Sequence, residues 1–189
     1  MSVNTLHYSL PMDFTNRLKN NEGLLEAFSS IFGCGSSLKS FFSETDSDEI
    51  EEITEDLEEE DVKALKELLE QTTFGTFAFT ENTFDVHIKG ISCYFESKGY
   101  ADAKELATSA INGDSEVYDL SIYAPSKVTQ DRIVAALTNK SDDVFSMYEL
   151  SGHYTDPEWK DAIKNELTDI ISCYESAHEI GGEVWIGSL

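Results

Sequence analysis

Residues 44–70 constrain this chain more than any other stretch. Fourteen of those twenty-seven residues are carboxylates (Glu44, Asp46, Asp48, Glu49, Glu51, Glu52, Glu55, Asp56, Glu58, Glu59, Glu60, Asp61, Glu67 and Glu70), set against Lys63 and Lys66 alone. A run of like charge ordinarily stays unfolded. Here Ile50, Ile53, Leu57, Leu65, Leu68 and Leu69 interrupt it at helical spacing, which puts them on one face of a cylinder. The segment therefore predicts one amphipathic helix or two consecutive ones, with the apolar stripe against a core and the acids in water.

The rest of the chain supplies that core. In 189 residues, 40% are hydrophobic and 11% aromatic, enough for one domain spanning 1–189 and too little for two comfortable ones. Thirteen Lys+Arg against thirty-seven Asp+Glu give a formal charge of −24. Binding to DNA, RNA or an anionic membrane needs cations that replace counterions, so the balance argues against all three as direct partners. Cys34, Cys93 and Cys173 are odd in number and widely spaced, which suggests buried free thiols rather than disulfides or a zinc cage. No basic-then-apolar leader opens the sequence and no apolar run approaches the ~20 residues of a membrane span, so a cytoplasmic protein is the expectation.

Along the chain, an extended piece from Leu6 gives way near Pro11 and Asp13 to a short helix. Leu24, Leu25, Phe28, Ile31 and Phe32 mark a second, ending at Gly33. Residues 36–42 read as a connector anchored by Phe41 and Phe42, and 72–80 as a short strand or packed loop around Phe77 and Phe79. Helical spacing returns at Phe84, Ile88, Ile91 and Phe95, then over 101–111, closed by Asn112, Gly113 and Asp114. Residues 118–123 look turn-like. Ser126 caps a helix carrying Val128, Ile133, Val134 and Leu137, and 142–150 forms another. Asp156, Pro157 and Glu158 start a long helix with Trp159, Ile163, Leu167, Ile170, Ile171 and Tyr174 on one face. After Gly181 and Gly182, Val184 and Ile186 share one side of a closing strand. The sum is a helix-rich α+β single domain with a few short strands.

Three stretches in this order, residues 85–95 (DVHIKGISCYF), 107–113 (ATSAING) and 119–125 (DLSIYAP), resemble the middle of the bacterial YfbM-like family, a domain of unknown function. The likeness continues through the helix at 128–137, a helix near Phe145, a loop with Tyr154, and a final helix and strand with Tyr174, Ala177, Gly182 and 184–186. It implies the α+β fold and brings no catalytic residues. Val86 and Ile88 stand where family members tend to carry a basic residue and a tryptophan.

Motifs that carry chemistry are sparse. His7, His87, His153 and His178 form no zinc-binding spacing, and Cys173 lies five residues from His178. Asp46, Asp48 and Glu49 open like a calcium loop, yet Glu51 occupies the position that needs glycine. Gly33, Gly35 and Ser37 lack the lysine of a phosphate loop, and no nucleophile elbow occurs. No catalytic residue, metal site or cofactor is expected.

What remains is the charge. Twelve net negative charges over 27 residues, at ~1.5 Å rise, place about one per 3.4 Å, near the phosphate spacing of a DNA strand. The leading expectation is a non-enzymatic inhibitory binder of the immunity type. It would occlude a basic toxin, nuclease or other DNA-binding protein through Glu44, Asp48, Glu51, Glu52, Glu55, Asp56, Glu58 and Glu59. A DNA mimic acting on a restriction or CRISPR system is the alternative. A small-molecule enzyme or sensor, with a candidate pocket at Asp85, His87, Asp119 and Tyr123, is the third.

Overall fold

The computed structural model describes residues 2–33, 41–71, 74–113, 116–119, 122–152, 157 and 160–188. Cys34, Gly35, Ser37, Asp114, His153, Tyr154, Asp156, Glu158 and Trp159, together with the side chains of Phe77, Phe79 and Asp119, lie outside the described residues. The elements run β1 (Ser2–Leu10), α1 (Met12–Asn20), α2 (Glu22–Gly33), α3 (Phe41–Glu44), α4 (Ser47–Thr54), α5 (Glu59–Gln71), β2 (Phe74–Thr80), α6 (Glu81–Ser97) and α7 (Ala103–Asn112). They continue with β3 (Glu116–Asp119), β4 (Ile122–Ala124), α8 (Lys127–Leu137), α9 (Ser141–Leu150), α10 (Lys160–Glu179) and β5 (Glu183–Ser188). The fold is α+β and helix-rich, as the sequence predicts.

The strands form one antiparallel sheet in the order β2-β1-β5-β4-β3. Strand alternation divides the apolar side chains between its two faces. Tyr8, Leu10, Ile122, Ala124 and Trp185 join one cluster with α1, α2, Phe41 and α5; Val184 and Ile186 join another with α6 to α10. Val184 and Ile186 of β5 share a side, as their spacing predicts. Trp185, on the opposite side, is fully buried as well, because helices cover both faces. That is why β5 reads as an apolar run rather than an alternating one.

Two expectations are corrected. Residues 118–123 are not a bare turn: β3 and β4 make a hairpin there with a register shift between Val117 and Asp119. Val128 does not serve the apolar face of α8. It is 72% exposed, while Ile133 and Leu137 carry the packing. Ser126 does cap α8, its hydroxyl accepting from the Thr129 N–H at 3.3 Å.

Gln130 and Glu183 bring polar groups into this core with their partners. Beyond the end of β4, the buried Gln130 amide stands in for a strand neighbour: its Oε1 accepts from Val184 N (2.7 Å) and its Nε2 donates to Val184 O (3.2 Å). Glu183, 6% exposed, accepts from Lys19 Nζ (2.8 Å) and from Trp185 Nε1 (3.2 Å). Lys19→Met should leave that carboxylate without its cation and cost roughly 2 kcal/mol, since Lys19 itself is partly solvated. Urea denaturation of the variant checks it, and Lys19→Arg should recover most of the loss.

Candidate functional site

The acidic segment is two helices, not one. Asp46 sits at the N-cap of α4, its carboxylate accepting from Asp48 N at 3.0 Å, so it organises a helix start rather than a calcium loop. Asp48 and Glu49 fill the first turn of α4, and Glu59, Glu60 and Asp61 that of α5, where the positive end of the helix dipole favours them. The apolar stripe does as expected: Leu65, Leu68 and Leu69 are buried, and Ile50, Ile53 and Leu57 pack half-buried against the same cluster. One acid is used to hold the ridge down. Asp61 receives Arg17 from α1 at 2.5 Å and the Asn21 amide at 2.8 Å.

The outer face is a ridge of carboxylates. Glu44, Asp48, Glu51, Glu52, Glu55, Asp56, Glu58 and Glu59 are all exposed. Among the described residues, no lysine or arginine lies within ion-pair distance of Asp48, Glu51, Glu52, Glu55, Asp56, Glu58 or Glu59. Lys63 turns to Glu67 within α5, at 3.7 Å.

The four residues of the candidate pocket are placed differently from one another. Asp85 points to solvent, its nearest cation Lys89 at 4.0 Å, whereas His87, two residues on, is fully buried. Tyr123 is half-buried on β4, and Asp119 ends β3. His87 instead joins Tyr148 of α9 and Glu166 of α10. Its Nε2 is 2.9 Å from Glu166 Oε2 and its Nδ1 3.2 Å from the Tyr148 hydroxyl, which lies equally close to the His87 carbonyl. Burial, with the Glu166 charge second, pushes the Tyr148 phenol well above its ordinary range. Both ring nitrogens of the buried His87 are engaged, so the constellation ties three helices together. Tyr148 and Glu166 stand 61 and 79 residues from His87, and no local spacing announces them.

Other candidate nucleophiles and ligands resolve in the same direction. Burial pushes the Cys173 thiol up to about 12, keeping it protonated and inert, and His178 is on the surface. Among the described residues no group of three or more His, Cys, Asp or Glu is arranged to hold a metal, and no helix is long and apolar enough to cross a membrane.

No family model, curated protein or solved structure matches this chain.

Proposed function

We propose that the protein is a non-enzymatic inhibitory binder, of the immunity type, whose α4–α5 ridge covers a basic surface on a toxin, nuclease or other DNA-binding protein. The observation that carries this reading is acid where folding does not call for it. First-turn acids are accounted for by the helix dipole, but Glu51, Glu52 and Glu55 lie beyond it, and the last turn of α5 holds Glu70 and no base. A helix end of that polarity favours cations, so these carboxylates cost stability that a cationic partner would restore. A cytoplasmic setting and a YfbM-like scaffold belong to the same proposal; the order of helices, hairpin, long helix and last strand fits the latter.

The geometry favours a protein surface over mimicry of a phosphate ladder. The spacing of one charge per 3.4 Å assumes a continuous cylinder, whereas α4 and α5 are separate rods of eight and thirteen residues, about 12 and 20 Å long. Duplex DNA that competes the protein off its partner would reinstate the mimic.

Replacing Glu51, Glu55, Glu58 and Glu59 together by Gln should slow association with a cationic partner about tenfold or more at low salt and flatten the salt dependence, while leaving the fold as stable or more so. Stopped-flow association at two ionic strengths and urea denaturation measure both. The proposal fails if the unmodified protein, at low salt, neither retains nor inhibits any cationic protein.

A further inference from the structure

Beside the ridge, α3 and α5 enclose a cleft of about 290 Å³ lined by Phe42, Ser43, Lys66, Leu69 and Glu70. That is the lower limit of small-molecule pockets, ~300 Å³, and suits one long side chain better than a cofactor. Lys66 and Glu70 are one helical turn apart, the spacing at which Lys63 and Glu67 do pair in the same helix. Lys66 takes a different partner. Its ammonium lies over the Phe42 ring, 4.9 Å from the centroid, and among the described residues no lysine or arginine is within ion-pair distance of Glu70. The ring is held in place edge-on to Phe41, which is fully buried, at 5.2 Å. The cleft thus has an aromatic floor already accepting a cation and a carboxylate at its rim that the cation does not use.

We propose that this cleft takes one arginine side chain of the basic partner, which displaces Lys66 from the Phe42 ring and pairs with Glu70. An arginine meets both walls at once, because its planar guanidinium stacks on a ring while its N–H fork reaches a carboxylate; an ammonium satisfies one at a time. The surrounding ridge supplies the complementary charge. The inference rests on the ridge reading and adds the residue type that the ridge selects.

Two blocked lysine-rich peptides, differing only in whether the central residue is Arg or Lys, test it by calorimetric titration at about 50 mM salt. The Arg peptide should bind about fivefold more tightly. Phe42→Leu, which keeps apolar packing, and the surface change Glu70→Gln should each bring that ratio close to one. Lys66→Met should strengthen binding of the Arg peptide. A ratio of one in the unmodified protein, or one that survives both Phe42→Leu and Glu70→Gln, overturns the cleft. The four-glutamine ridge variant separates the two readings: both peptides weakened with the ratio kept supports both, and binding unchanged with the ratio kept removes the ridge and leaves the cleft, whereas no binding of either peptide by the unmodified protein removes both.

Discussion

Gly90→Ala should destabilise the protein by about 3 kcal/mol, although the same change inside a helix normally gains 0.5–1 kcal/mol. Gly90 is buried in α6, and a methyl group there would overlap three ring carbons of Tyr148. The ring has no room to yield. Tyr148 is fully buried, its hydroxyl engages His87, and Phe145 packs at 6.2 Å on the same helix. Overpacking of this kind costs about 1–3 kcal/mol, and the broken His87 contact adds to it, so the loss exceeds the gain in helix propensity. At roughly 2–4 °C per kcal/mol for a chain of this size, the midpoint should fall by about 10 °C. Introducing Tyr148→Leu alongside Gly90→Ala should cost less than the two single changes summed, which calorimetry or urea denaturation resolves. An alanine variant as stable as the parent would mean that α6 and α9 do not meet as described.

The second large effect is a loss of stability in mild acid. His7 on β1 is fully buried on the α6–α10 face, with Nε2 3.1 Å from the Ala110 carbonyl, which also accepts from Tyr174. Burial pushes its pKa from 6.5 down to about 4; the hydrogen bond to Ala110 opposes that, and the charge of His87 adds to it. Between pH 6.5 and 4 the unfolded chain therefore binds a proton that the folded one refuses. The contribution of His7 is complete above pH 6.5 and is lost as pH falls toward 4, the loss amounting to about 3 kcal/mol. The net charge of −24 acts in the other direction, because protonating carboxylates relieves self-repulsion. The informative quantity is the difference between the parent and His7→Gln, whose amide keeps a donor for Ala110. The variant should hold its stability from pH 7 to 5 better than the parent; parallel profiles would show that another group sets the acid limb.

Much of the architecture is legible in the sequence, because helix stripes and caps are local signals. Leu65, Leu68 and Leu69 lie buried as their spacing requires, Ser126 caps α8, and Gly113 ends α7 in the left-handed conformation at φ 63°. What local spacing does not carry is the third dimension. The hairpin of β3 and β4 is too short for alternation to show, with four and three residues. Val128 looks like its apolar neighbours, yet its position on the cylinder turns it to water. His87 and Asp85 share a helix but not a direction, and the residues that engage His87 come from α9 and α10. The acidic ridge was the most legible part of the candidate site, since charge and periodicity coincide there. The Phe42–Lys66 cleft was not, because it depends on how α3 meets α5.

The sheet order has a consequence for synthesis. β5 lies between β1 and β4, pairing Thr5 with Ser188 and Ile122 with Gly187. Until residues 183–188 have left the ribosome, the nascent chain lacks the strand that joins the two halves of the sheet. Its side chains complete both faces at once, Trp185 joining Tyr8 and Leu10 on one side and Val184 and Ile186 joining the α6–α10 cluster on the other. Both faces of the core therefore close together, on the docking of one short strand whose β1 partner lies far away along the chain.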